Sequence, residues 1–131
     1  MVAELKVALV SAERAIWQGT AKSIVAKTPD GEIGILPGHS PVLALLLDAP
    51  LRIETTDGTK VLVAVHGGFF SVDSDQVNVI AETAELAEEI DVERAKAALE
   101  RAKAAASGEN DPEAQAAKRA ETRLAVAVGG R

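Results

Sequence analysis

The chain has 131 residues, 47% of them hydrophobic and only 2% aromatic, with a net charge of -6 and no cysteine. This length suits one ordinary domain or a small domain with an appendage, and its core must be built from Val, Ile, Leu and Ala. Disulfide scaffolds, thiolate metal sites, iron–sulfur clusters and thiol nucleophiles are excluded, and an acidic chain repels nucleic acid and anionic lipid as direct partners.

The opening Met1-Val-Ala-Glu-Leu-Lys brings in an acid at once with no long apolar run behind it, unlike a secretory signal. The longest apolar stretch, Pro41 to Leu47, falls far short of the ~20 residues that span a bilayer. The expectation is a soluble, intracellular protein with no direct membrane insertion, held at a membrane only through another protein.

Residues 1–84 read as strands. Leu5, Val7 and Leu9 alternate with Lys6, Ala8 and Val10, a period of two. Ser23-Ile-Val-Ala-Lys-Thr runs into the turn signal Pro29-Asp30-Gly31. Leu51-Arg-Ile-Glu-Thr meets Thr56-Asp57-Gly58-Thr59, an Asp-Gly pair that marks a hairpin. Val61-Leu-Val-Ala-Val, the pair Gly67-Gly68, Phe69-Phe-Ser-Val, the turn Asp73-Ser-Asp and Gln76-Val-Asn-Val-Ile complete the series. Short strands at such spacing predict an all-β sandwich or barrel.

Residues 85–131 change period. Asp91 to Ala106 is rich in Ala, Glu, Lys and Arg, with Asp91 as N-cap and Glu93 in the first turn. Ser107-Gly108 ends this helix, and Asp111-Pro112 opens a second that runs to about Ala127. The fold class is therefore an N-terminal β-sandwich followed by an α-helical hairpin. The expected hairpin stripe, Val92, Ala95, Ala98, Leu99 and Ala102 facing Ala116, Ala117, Ala120, Leu124 and Ala127, is mostly alanine. Alanine contributes little apolar area, so the hairpin is weakly held and can leave its docking surface at small cost, or else is thin but permanently folded.

Catalytic chemistry finds few candidates. His39 sits in the turn Pro37-Gly-His-Ser-Pro, and adjacent Ser40 points away from it on an extended segment. There is no Gly-x-Ser-x-Gly elbow, no His-x-x-x-His pair and no phosphate-binding Gly-rich loop with lysine. His66, before the glycine pair, is expected at a strand end as a satisfied structural histidine. No catalytic residue and no required cofactor are expected, and a small enzyme using His39 is a remote alternative.

The run Gly31-Glu-Ile-Gly-Ile-Leu-Pro-Gly-His-Ser-Pro-Val-Leu resembles the signature of the epsilon subunit family of rotary ATP synthases. Val10-Ser-Ala-Glu, Ile16-Trp-Gln-Gly-Thr, Gly67-Gly68-Phe69 and Val79-Ile-Ala-Glu-Thr-Ala-Glu agree with it. The resemblance implies a non-catalytic central-stalk subunit that couples proton translocation to ATP synthesis and restrains hydrolysis through its helices. The implied partners are the gamma subunit, the ring of c subunits and the alpha and beta catalytic subunits, at the cytoplasmic face of the cell membrane. Glu32 and His39 would contact the c-ring, or else are ordinary solvated loop side chains.

Ile90-Asp91-Val92-Glu93-Arg94-Ala95 resembles the ATP-binding motif of several bacterial members of that family. It implies ATP as a regulatory ligand held by Glu85, Ile90, Asp91, Arg94 and Ala95. Spacing adds Arg101, seven residues from Arg94 on one helix face, and Arg119 and Arg123, four apart on the second helix. Guanidinium groups suit a triphosphate. Lys96, Lys103 and Lys118 have acids at helical contact spacing, whereas Arg101, Arg119 and Arg123 have none. Their partners are then an external anion, residues across the hairpin, acidic loops of the beta subunits, or solvent. The alternative function is an ATP-sensing module.

Overall fold

The structure, a computed structural model, describes residues 3–105 and 112–129. Seven strands come first: β1 (Leu5–Ser11), β2 (Ala15–Thr28), β3 (Gly31–Ile35), β4 (Val42–Leu45), β5 (Ala49–Thr55), β6 (Lys60–Asp73) and β7 (Gln76–Leu86). A short 3-10 turn over Ala87–Glu89 leads to α1 (Val92–Ala105) and α2 (Pro112–Gly129). The sandwich-plus-hairpin architecture expected from the two periodicities is the one observed.

Strand alternation does what the sequence pattern requires. β1 buries Leu5, Val7 and Leu9 and exposes Lys6. The same inward set continues with Ile24, Ile35, Leu51, Ile53, Val63, Val65, Val72, Val77 and Val79. Phe70 is the one aromatic side chain among these fully buried residues. At the Asp57-Gly58 hairpin, Thr55 N–H donates to the Thr59 carbonyl at 2.8 Å. The Asp57 carboxylate accepts from the Thr55 hydroxyl and from Thr59 N–H, and these bonds hold its pKa down to about 2.

Two strands run longer than the turn signals imply. β6 passes straight through Gly67-Gly68, which the sequence reading takes as a break. Both glycines have positive φ, +75° and +120°, so the strand bends without losing its partner β7. On its other edge β6 pairs β5 before the bend, through Lys60 to Val65, and β4 after it, through Phe69 to Val72. β2 likewise pairs β1 with its first half and β3 and β5 with its second. Strands β1, β7, β6, β5 and β2 thereby close into a ring, with β3 and β4 on its flanks. β1 and β7 run parallel, Ser11 opposite Ala81. A closed ring leaves few unpaired strand edges.

Asp91 caps α1, its Oδ1 accepting the Arg94 N–H at 3.1 Å. Pro112 opens α2 as expected. The Ser107-Gly108 stop and Asp111 lie outside the described residues. Ala95, Ala102, Ala117, Ala120 and Ala127 are buried, and Val92, Ala98, Leu99, Ala116 and Leu124 are half-buried. The single stripe expected for α2 is incomplete, because that helix has a second buried face. Val126 packs with Ala64 of β6 and with Ile90, and the Thr122 hydroxyl donates to the Asp48 carbonyl at 3.2 Å. The hairpin is thus docked by α2 on the outer face of β5 and β6.

The bend at Gly68 is tight. A Cβ there would lie 2.2 Å from the Ile80 carbonyl oxygen, whereas at Gly58, φ +91°, it would meet nothing within 4 Å. Gly68→Ala should therefore lower the unfolding free energy by at least about 2 kcal/mol, and Gly58→Ala by about 1 kcal/mol. Urea unfolding of the two variants checks this; equal losses would contradict the close approach described.

Candidate functional site

Parallel pairing of β1 and β7 brings the turn after β1, the end of β7 and the start of α1 to one end of the sandwich. Between them and the two helices lies an open cavity of about 610 Å³. From the sandwich side come Arg14, Glu85 and Glu89; from the hairpin come Asp91, Arg94, Ala95, Arg101 and Arg123.

Two of these arginines are already engaged. The Arg14 guanidinium donates to Glu89 Oε1 at 2.9 Å, and Glu89 also accepts the Leu86 N–H at 2.9 Å. The Arg14 bond holds the Glu89 carboxyl below the usual carboxylate range and in turn raises Arg14. Arg123 Nε donates to Glu85 Oε1 at 2.6 Å, tying α2 to β7. Among the described residues no ion pair is made by Arg94 or Arg101. Lys96 pairs with Glu93 at 3.8 Å, as its spacing predicts.

Of the eight residues picked out for an ATP site, Glu85, Asp91, Arg94, Ala95, Arg101 and Arg123 line this cavity. Ile90 does not; it is buried beneath the hairpin with Ala64, Val126 and Ala127. Arg119 is half-buried on α2 and does not line the cavity. Arg14 and Glu89 escaped the sequence reading. A helical period says nothing of a turn 75 residues away that a parallel strand pairing carries to the site.

Glu32 lies within β3, next to its first residue, whereas His39 lies in the turn that follows the strand. Glu32 is exposed and opposite Lys27 of β2. His39 sits in a turn closed by its own N–H to the Leu36 carbonyl at 3.1 Å, with Nδ1 2.7 Å from the Ser40 carbonyl. Gly38 N–H donates to Asp75 Oδ1, which ties this turn to the one between β6 and β7.

His66 departs from expectation. It lies inside β6, not at its end, and is 3% exposed. Neither ring nitrogen has a hydrogen-bond partner among the described residues; Nε2 stands 3.6 Å from Glu85 Oε1. On the opposite side of the sandwich, Leu43, Leu45, Phe69 and Ile80 are exposed. Register sets Leu45 beside Phe69 and Phe69 beside Ile80, so all four share one outward face.

Residues 4–87 match the family model described as ATP synthase, Delta/Epsilon chain, beta-sandwich domain. The ATP synthase epsilon chain of Streptomyces griseus is 51% identical over 129 residues, covering 98% of this chain and 99% of that one. The chain belongs to the ATP synthase delta/epsilon chain family. A second member, the epsilon chain of Thermobifida fusca, is 52% identical over 95% of this chain and 92% of its own. Among solved structures, a chain of the Euglena gracilis mitochondrial ATP synthase, in a structure of its OSCP, F1 and c-ring, superposes with a TM-score of 0.72 at 28% identity. That match covers 98% of this chain and 79% of that one, so the likeness includes the hairpin.

In this family member the cap on α1 also shapes the cavity, since Asp91 orients the first turn that carries Arg94. Asp91→Ala should cost the chain about 1 kcal/mol, with Asp91→Ser recovering most of the loss. Thermal unfolding followed by helical circular dichroism tests this, and an unchanged midpoint for Asp91→Ala would show that the cap is idle.

Proposed function

We propose that the chain is the non-catalytic epsilon subunit of the central stalk of a proton-driven ATP synthase, coupling proton translocation to ATP synthesis. The observation that carries this reading is near-half identity to epsilon chains over almost the whole length, both sandwich and hairpin. The apolar face of Leu43, Leu45, Phe69 and Ile80 supports it, because such a contiguous patch fits a protein interface. The gamma subunit is the partner proposed for that face. Glu32 and the His39 turn are proposed for the polar loops of the c-ring, and the hairpin for the alpha and beta subunits, where it restrains hydrolysis. No helix among the described residues is long and apolar enough to cross a membrane. A peripheral position at the cytoplasmic face, held through the complex, belongs to the same proposal.

A regulatory ATP bound in the arginine cavity is the second reading. It is favoured by the approach of Arg94, Arg101 and Arg123 around one space. Phosphate oxygens would be held by these guanidiniums as charge-assisted bonds.

Co-purification with gamma is the test of the first reading. Leu45→Glu and Phe69→Glu alter exposed side chains, so the fold should persist while gamma binding falls by tenfold or more. Retained binding in both would move the interface elsewhere. Calorimetry with ATP tests the second: Arg94→Ala and Arg101→Ala should abolish the heat, and Arg119→Ala should leave it. A loss seen only with Arg119→Ala would reject this cavity.

A further inference from the structure

His66 is the one buried ionisable side chain among the described residues. It lies in the seam where α2 meets the sandwich. The charged groups that face it come from three elements: Glu85 on β7, Arg123 on α2 and Asp48 in the connection before β5. The α2 helix is held here by the Arg123–Glu85 pair and by the Thr122 hydroxyl on the Asp48 carbonyl. The apolar part of the seam is small: Ala64, Ile90, Val126 and Ala127 are buried in it, with Leu62, Ala87 and Val92 half-buried at its edge. A neutral imidazole fits this setting. An imidazolium would be a buried charge out of water, without a hydrogen bond to either ring nitrogen and beside the Arg123 cation, with Glu85 and Asp48 compensating in part.

We propose that His66 is a proton-operated release for the hairpin: protonation of its ring in the seam undocks α2 from the sandwich. Undocking gives the imidazolium water and removes Arg123 from its vicinity. The sign follows from the same groups. Burial first, and the Arg123 charge second, hold His66 below its ordinary value, while Asp48 and Glu85 oppose them. The docked state therefore binds the proton more weakly than the undocked one. Docking is at full strength above the free histidine value of about 6.5 and weakens as the pH falls below it, by up to roughly tenfold per pH unit. It levels off once the pH passes the lowered value of the docked state. This release is independent of the nucleotide reading and needs no ligand.

The absence of native cysteine allows a direct test on the full chain without nucleotide. Ser23 and Ala125 border one groove between β2 and α2 in the docked state. Spin labels on Ser23→Cys and Ala125→Cys should report a short distance at pH 7.5 and a long-distance fraction that grows at least fivefold by pH 5.5. In the same labelled chain carrying His66→Gln, the distribution should stay constant over that range. A distribution that does not respond to pH with His66 present, or an equal response in His66→Gln, overturns the proposal. Should the variant fail to fold, the ring resonances of His66 in the labelled chain decide. They must titrate over the pH range in which the distance changes, and titration at constant distance overturns the release equally.

Discussion

The Glu85 carboxylate stands where three parts of the molecule meet. It leaves the end of β7, accepts Arg123 from α2, faces buried His66 and lines the arginine cavity. Around it the apolar seam holds Ile90 and Val126 as its larger buried side chains, with Leu62 and Val92 half-buried against them. Each is worth at most ~1.5–3 kcal/mol when fully buried, and alanine far less. The ion pair, with both partners 31% exposed, adds less than about 1 kcal/mol after solvent screening. Docking of the hairpin is therefore a small difference among modest terms. A change of 1.4 kcal/mol, a factor of ten in an equilibrium, is large against that sum.

The strand half is built on the opposite principle. Its five-strand ring has every long strand paired on both edges, and its core is a continuous set of branched aliphatic side chains. The Gly67-Gly68 bend lets one strand serve both layers, which couples them mechanically. The molecule thus joins a closed strand body with an exposed apolar face to a hairpin that lies against it through charged and alanine-lined contacts. Apolar area suits permanent contact; charged and alanine-lined contact suits reversible docking.

Much of this was legible in the chain. The period of two at Leu5 to Leu9, the Asp57-Gly58 turn and the Asp91 cap each rest on neighbours in sequence, and each appears as read. What was not legible rests on distant pairing. Nothing local announces that β1 runs parallel to β7, so Arg14 and Glu89 could not be assigned to the cavity. The glycine pair reads as a break because glycine usually ends strands, yet here positive φ at both positions serves a bend. Val61 to Val65 is an unbroken apolar run, the pattern of a strand covered on both faces. Val63, Ala64, Val65 and His66 are indeed all buried, with Ala64 under the hairpin.

The arginines without local acids show both the reach of such reasoning and its limit. Lacking partners along their helices, Arg101 and Arg123 had to find them elsewhere; Arg123 found Glu85 across the seam, while Arg101 opens on the cavity beside Arg94. The lining has four arginines, Arg14, Arg94, Arg101 and Arg123, against four acids, Glu13, Glu85, Glu89 and Asp91. An entering anion would compete with those carboxylates for their guanidiniums. An anion held by Arg123 together with Arg94 and Arg101 would keep α2 against the sandwich, the state that binds the His66 proton more weakly. Anion binding in the cavity and proton binding in the seam would then oppose each other, and by linkage the opposition would be equal in both directions.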